Sequence, residues 1–366
     1  MKLVVFGLTI SSSWGNGHAT LWRGLCRALG ERGRHVVFYE KNVSWYANAR
    51  DCVAPPGCEL VLYDEWADIA GRAARDLRDA DAGMVTSYCP DARAATNLMV
   101  DAPCRSVFYD LDTPVTLAAL EHGDVPYIGP RGLRDFDLVL SYTGGRALDL
   151  LRDTLGARRA LPLYGHVDPA AHHPVPPVAA YRADLSYLGT YAADRQPALE
   201  RLFIAPARAR PALRFLIGGA QYPDDFPWTN NIWFVHHMPP PEHPAFFSSA
   251  RLQLNVTRRA MADMGWCPSG RLFEASACGA ATVSDAWEGL DAFFTPGEEI
   301  LVAHDGAGVE AALDMPDAAL RRIGEAARAR ALRDHTSAHR ADELIAALES
   351  LGAPESIGAP SRLEEV

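Results

Sequence analysis

The amino-acid sequence predicts an α/β fold, in which parallel sheets are covered by helices on both faces. Short apolar runs alternate with segments of helical composition, and such alternation favours parallel sheets. The apolar runs are nearly continuous, which is typical of strands buried on both faces. The alternation occurs twice, before and after a proline-rich stretch, so we expect two such sheets within the 366 residues.

In the first half, "KLVVFGL" (2–8) is predicted to form the first strand, and residues 18–32 a helix. Later strands are predicted at "HVVFYE", "AGMVTSY", "CRSVFYD" and "FDLVLSYT". Helical stretches such as "EWADIAGRAARDLRDA" and "GGRALDLLRDTLG" lie between the strands. We therefore expect residues 1–165 to form one Rossmann-like domain.

The proline-rich stretch is predicted to be an interdomain linker over residues 166–180, in which His172 and His173 are solvated. The alternation then restarts, with strands predicted at "DLSYLGTY", "RFLIGG", "IWFVHHM", "LQLNVT", "ATVSD" and "EILVAHD". We expect residues 181–335 to form a second Rossmann-like domain that faces the first across a cleft. Residues 336–366 are expected to be a C-terminal helix and tail.

Composition excludes several classes of partner. The chain has 35 basic and 46 acidic residues and a net charge of −11, which argues against nucleic-acid binding and against anionic membranes. It contains no run of 18 apolar residues, so we expect no membrane span. The seven cysteines are odd in number and form no C-x-x-C pair. We therefore expect reduced thiols, a cytoplasmic location, no disulfide framework and no metal site.

The stretch "SGRLFEASACGAATVSDAWEGLDAFFTPGEEILV" (269–302) is the most specific in the chain. Ser269 and Gly270 open a predicted helix, whose free N–H groups and dipole favour a phosphate. Arg271 adds a guanidinium group. Glu274 lies one turn further on and can accept hydrogen bonds from a ribose diol. An ordinary helix start with solvated side chains is the alternative interpretation.

Upstream, "NVTRRAM" places Arg258 and Arg259 just after a predicted strand, where a basic pair suits a pyrophosphate. Together these segments resemble the donor-binding region of GT-B-type glycosyltransferases, in particular the CgeB-like (spore maturation protein) group. "FLIGG", "DHTSAHRADELIAAL", "FYDLDTPVTLAAL" and "DLVLSYTGG" extend the resemblance along the chain. Many retaining members of the fold carry two glutamates eight positions apart. Glu274 matches the second, but Trp266 stands at the first position.

The resemblance implies two Rossmann-like domains around a cleft in a bacterial enzyme. The second domain would hold a nucleotide-diphosphate sugar, UDP- or GDP-linked, and the first would receive a small-molecule, glycan or peptide acceptor. Transfer would need no metal and no further cofactor. A nucleotide-sugar epimerase of the same fold and a catalytically silent sugar-nucleotide-binding protein are the alternatives.

The loop "SSSWGNGHAT" (11–20) follows the first predicted strand. It lacks the third glycine of a dinucleotide-binding fingerprint and the lysine of a P-loop. GT-B enzymes commonly place a glycine-containing loop and a histidine here, and Gly15, Gly17 and His18 match that arrangement. The resemblance implies that the loop touches the donor phosphates, while His18 meets the acceptor or donor sugar or acts as a base.

A histidine base suits neutral pH and usually has a carboxylate partner. Asp110 and Asp112, which follow "CRSVFY", are the candidates, and we assign Asp112. A helix-capping or packing role for His18 is the alternative. Three further residues complete the predicted donor site. They are Gly189 and Thr190, which follow the strand "DLSYL", and Met238, which follows "IWFVHH".

Overall fold

The computed structural model describes residues 1–352 and contains two parallel sheets, of seven and six strands. The α/β class and the two-sheet architecture predicted from the sequence are therefore confirmed. The predicted C-terminal tail lies, from residue 353 onwards, outside the described residues.

The first sheet has the strand order β3-β2-β1-β4-β5-β6-β7, and every pairing is parallel. Its strands are β1 Lys2–Gly7, β2 His35–Lys41, β3 Cys58–Tyr63, β4 Ala82–Thr86, β5 Arg105–Asp110, β6 Leu138–Ser141 and β7 Ala160–Pro162. The intervening helices are α1 His18–Glu31, α2 Ser44–Ala47, α3 Trp66–Arg78, α4 Ala92–Val100, α5 Thr113–Leu120 and α6 Arg146–Asp153. The central strands are apolar because helices cover both of their faces.

The second sheet has the order β10-β9-β8-β11-β12-β13 and is also parallel. Its strands are β8 Ala183–Leu188, β9 Phe215–Gly219, β10 Ile232–His236, β11 Ala250–Asn255, β12 Thr282–Ser284 and β13 Leu301–Val302. Its helices are α7 Gln196–Leu199, α8 Ala205–Ala209, α9 His243–Ser249, α10 Arg259–Met264, α11 Gly270–Ala277, α12 Leu290–Phe293, α13 Gly306–Leu313 and α14 Asp317–Asp334. A π-helical turn over Glu200–Ile204 joins α7 to α8.

The strands at the two edges of the first sheet, β3 and β7, were not predicted from the sequence. In β3 two exposed residues, Glu59 and Leu62, interrupt the run of less exposed residues. β7 has only three residues and pairs with β6 alone. An edge strand is covered less completely than a central one, so its sequence lacks the continuous apolar run that identifies buried strands.

The last helix, α15 Ser337–Glu349, packs on the first sheet although it follows the second one in sequence. Ala341 and Leu344 are fully buried in the core that β1 and α1 share. On the rim of this contact, Arg32, just after α1, donates to Asp342 at 2.6 Å. The chain therefore crosses between the two sheets twice. The crossings lie side by side, since Ser337 donates its N–H to the carbonyl of Val167 in the linker.

Among the described residues, no helix combines the length and the apolar character that crossing a membrane requires.

Candidate functional site

A cleft of about 620 Å³ lies between the two sheets. Its walls are formed by loops that follow the carboxyl ends of β1, β4 and β5 on one side and of β8 to β11 on the other. Ligand sites in open α/β folds occur at this edge. Twelve of the predicted site residues line the cleft: Gly15, Gly17, His18, Asp112, Gly189, Thr190, Met238, Arg258, Ser269, Gly270, Arg271 and Glu274.

A buried carboxylate on the neighbouring strand β2 fixes the backbone of the loop after β1. Glu40 on β2 accepts the backbone N–H groups of Ile10 and Ser11 at 2.7 and 2.9 Å. Gly15 has a φ of 67°, a conformation that favours glycine. The amide oxygen of Asn16 accepts the backbone N–H of His18 at 3.1 Å, so the asparagine caps the start of α1. The loop thus presents His18 to the cleft from a fixed backbone.

His18 and Asp112 lie next to each other on this wall. His18 Nε2 is 4.0 Å from Asp112 Oδ2, which is too long for a hydrogen bond. Burial lowers the pKa of His18, and the charge of Asp112 opposes that shift. Tyr88 donates its hydroxyl to the same Asp112 oxygen at 2.9 Å. His18 is therefore neutral at neutral pH, and Tyr88 orients its carboxylate neighbour.

The other candidate carboxylate, Asp110, lies beneath the cleft rather than in its lining. It is fully buried and accepts the hydroxyl of Thr116 at 3.0 Å and the N–H of Asp112 at 3.2 Å. Burial raises the pKa of Asp110 to about 6. Of the two aspartates, only Asp112 is exposed to the cleft beside His18.

On the opposite wall, α11 begins at the cleft. Ser269 is its N-cap and makes no side-chain capping bond within residues 1–352. Gly270 has open space beside it, since a Cβ added there would meet nothing closer than Tyr142 Oη at 3.6 Å. Arg271 is held by structural contacts. Its Nη1 donates to Asn255 Oδ1 at 2.8 Å, and its guanidinium carbon lies 4.8 Å from the ring centre of Tyr187.

The predicted basic pair separates in the structure. Arg258 lines the cleft, where its Nε lies 3.0 Å from Asp194 Oδ2. Burial opposes the charged form of Arg258, but the hydrogen bond and charge of Asp194 outweigh it and raise the pKa. Arg259 is the first residue of α10 and is exposed to solvent. Its Nε lies 3.5 Å from Oδ2 of Asp263, one turn further along the same helix. Only Arg258 is therefore placed to meet a ligand.

Glu274 is contacted from two sides. Thr20 on α1 lies 3.3 Å from its Oε1, so this contact spans the cleft. His172 Nε2 lies 3.9 Å from the same oxygen. The prediction that His172 is solvated is wrong, since only 3% of it is exposed. The linker folds back against α9 and α11, and burial lowers the pKa of His172 to about 4. His173 is exposed, as predicted.

Three cleft residues, Tyr88, Gln221 and Arg195, were not identified from the sequence. Tyr88, Gln221 and His237 line the cleft with φ angles of 65°, 65° and 50°, which non-glycine residues rarely adopt. Such strained residues cluster at functional sites. Arg195 also lines the cleft, and its Nη1 donates to the carbonyl of Thr190 at 2.9 Å. Its position just after the β8 loop was the one available sequence signal.

Comparison with known protein families gives a match in the second half of the chain. Residues 195–346 match the family model described as "Glycosyl transferase-like". This part of the chain is therefore similar to a glycosyltransferase-like family. No curated sequence matches the chain.

Solved structures match the chain over nearly its whole length. Sucrose-phosphate synthase from Thermosynechococcus elongatus is 14% identical with a TM-score of 0.70, covering 97% of this chain and 100% of its own. HepE from Anabaena, in complex with UDP-glucose, is 13% identical with a TM-score of 0.66, covering 96% and 100%. A trehalose-6-phosphate structure from E. coli, bound with UDP-2-fluoro glucose, is 13% identical with a TM-score of 0.64, covering 95% and 99%. The chain therefore has the GT-B fold.

Proposed function

We propose that this GT-B protein transfers a sugar from a nucleotide-diphosphate sugar to an acceptor. One observation carries the proposal. His18 and Asp112 on the first wall and the start of α11 on the second wall line the same cleft of about 620 Å³. That volume lies in the range of small-molecule sites. The glycosyltransferase-like family match of residues 195–346 supports the same reaction class.

The diphosphate is assigned to the start of α11. Backbone N–H groups at Ser269 and Gly270 and the helix dipole favour an anion there. Arg258 adds a positive charge once its contact with Asp194 opens. These groups can stabilise the charge that develops on the leaving diphosphate. We therefore propose a transfer that needs no metal ion at the diphosphate.

The ribose is assigned to Glu274 and the nucleobase to the loop that carries Met238, with Gly189 and Thr190 beside the phosphates. We propose a UDP-linked donor first and a GDP-linked donor second. Support for uridine comes from HepE and the trehalose-6-phosphate structure, whose bound ligands are UDP-glucose and UDP-2-fluoro glucose.

His18 is proposed to act at the acceptor. Because burial lowers its pKa, its imidazole is neutral at pH 7 and can take a proton from an acceptor hydroxyl. Asp112 would stabilise the imidazolium that forms. If the enzyme retains configuration, His18 would contact the donor sugar instead. The acceptor class proposed is a small molecule, glycan or peptide that enters from the first sheet.

Membership of the CgeB-like group is a further part of the proposal. It rests on "RLFEASACGAATVSDAWEGLDAFFTPGEEILV" together with "LNVTRRAM". A cytoplasmic location is also proposed, and the seven free cysteines support it.

The deciding experiment is a thermal-shift panel of UDP, GDP and their sugars, followed by transfer assays with the donor that binds. Ligand binding to the folded state raises the melting temperature. His18→Ala should abolish transfer and leave nucleotide binding intact. His122→Ala, an exposed histidine away from the cleft, is the matched control. Tight binding with neither transfer nor donor hydrolysis across an acceptor panel would instead indicate a silent binding protein.

A further inference from the structure

Three metal-binding side chains from distant parts of the chain meet beside the cleft. They are His172 in the linker, His243 at the start of α9 and Glu274 on α11. One ligand atom from each lies within 4.8 Å of the other two. The cysteine spacing predicted no metal site. Because this cluster contains no cysteine, a search for cysteine pairs in the sequence could not have found it.

The orientation of His243 is set by a backbone carbonyl. Its Nε2 lies 3.2 Å from the carbonyl oxygen of Met238, which can only accept a hydrogen bond. Nε2 therefore carries the proton, and the lone pair of Nδ1 points towards His172. Metal-binding histidines are commonly fixed in this way, by donating the other ring nitrogen to a carbonyl or carboxylate.

The three side chains of the cluster do not form good hydrogen bonds with one another. His172 Nε2 is 3.5 Å from His243 Nδ1 and 3.9 Å from Glu274 Oε1, and both distances exceed those of good hydrogen bonds. His172 Nδ1 has no partner among residues 1–352. No hydrogen bond to Nδ1 therefore fixes the tautomer of His172, and the tautomer with an unprotonated Nε2 presents a lone pair to His243 and Glu274. Two imidazole lone pairs and a carboxylate then face one point, an arrangement that favours a cation.

We propose that His172, His243 and Glu274 form a binding site for a borderline divalent metal ion of the Zn²⁺ class. Two histidines and one carboxylate are a recurrent zinc ligand set that leaves one position for water. Ligands bonded at about 2.0–2.1 Å in a tetrahedron lie about 3.4 Å apart. The observed 3.5 and 3.9 Å are close to this separation. The third separation, between His243 and Glu274, is within 4.8 Å, so these two side chains would have to approach each other by up to about 1.4 Å.

The site goes beyond the proposed transfer reaction. A metal ion here would join the linker to α9 and α11, while the diphosphate is assigned to the start of α11. Glu274 is the one residue common to both assignments. Because a metal ion binds the folded state, Zn²⁺ would stabilise the chain whether or not transfer occurs.

The test is a Zn²⁺ titration of the metal-stripped full-length chain against a chromophoric chelator. We expect one equivalent of Zn²⁺ to bind. His172→Phe and His243→Phe, which keep a ring in place, should each weaken binding by more than about tenfold, since loss of a supporting partner alone costs that much. His173→Ala, the exposed neighbour, is the matched control and should bind as the wild type does.

Thermal unfolding without metal checks that each variant is folded, and Glu274→Gln at the cleft wall is the further variant if a buried histidine cannot be replaced. Zn²⁺ should raise the melting temperature of the wild type and of the control, but not of the ligand variants. X-ray absorption should show nitrogen and oxygen ligands. The proposal is overturned if the folded wild type binds no Zn²⁺, if the ligand variants keep its affinity, or if sulfur ligands appear. UDP binding, measured in parallel, tests the transfer proposal separately.

Discussion

Gly270→Ala separates the proposed phosphate contact from the stability of the fold. A Cβ at this position meets nothing closer than Tyr142 Oη at 3.6 Å, an ordinary van der Waals distance. The φ of Gly270 is not in the left-handed region, so alanine needs no strained backbone. Gly270 is also the first residue of α11, where alanine reduces the freedom of the unfolded chain. We expect the unliganded variant to be as stable as the wild type, or up to about 1 kcal/mol more stable.

The same methyl group would occupy the space assigned to the diphosphate. An extra methyl group in a packed contact costs about 1–3 kcal/mol. That free energy corresponds to UDP binding that is about 5- to 150-fold weaker. Stability and affinity should therefore change in opposite directions, which a general packing defect would not produce.

Calorimetric titration with UDP measures the affinity, and thermal unfolding without ligand measures the stability. Gly129→Ala is the control, because a Cβ there meets nothing within 4 Å and Gly129 does not line the cleft. Unchanged UDP affinity in Gly270→Ala would refute the assignment of the diphosphate to the start of α11. Loss of stability without ligand would refute the inference that the position has room.

Three further predictions concern charge. Arg258→Ala should weaken UDP binding by about tenfold or more in calorimetry, as expected for a lost charge-assisted hydrogen bond. Asp194→Asn should not weaken it. UDP affinity equal to that of the wild type in Arg258→Ala would remove this arginine from the site. Asp112→Asn removes the charge that raises the pKa of His18, so the acidic limb of kcat/KM should move to lower pH, and a shift to higher pH would contradict the assignment. Burial lowers the pKa of His335 from 6.5 to about 4. The contribution of the neutral imidazole to the stability of the folded state is therefore present above pH 6.5 and is lost as the pH falls. Between pH 7 and pH 4 the free energy of unfolding in urea should therefore fall by about 3 kcal/mol more for the wild type than for His335→Gln. An equal fall in the two proteins would contradict a neutral, buried His335.

Much of the fold was predictable because parallel sheets leave a strong signal in sequence. Central strands such as β1 and β5 are covered on both faces, and their apolar runs are continuous. The edge strand β3 was not predicted because exposed residues interrupt its apolar run, and β7 was not predicted because it has only three residues. The position of α15 could not be predicted either, since its apolar face does not reveal which of two cores it covers.

The candidate site divides in a similar way. Glycines and charged residues just after strands, such as Gly15 and Arg258, were recognisable because site loops follow the carboxyl ends of parallel strands. The sequence did not reveal that Arg259 turns outward while its neighbour lines the cleft. Nor did it reveal Tyr88, whose place beside Asp112 depends on a strained backbone angle at the end of β4.

By itself the sequence determined the α/β class, the repetition of the sheet and the short loops that line the cleft, because these depend on local hydrophobic pattern and on residue type after each strand. Only the tertiary structure decided which side chains meet. His172 is the clearest case: it lies in a proline-rich linker, yet it is buried against His243 and Glu274. Contacts between residues so far apart in sequence depend on how the linker packs against the second sheet. No local pattern in the linker encodes that packing.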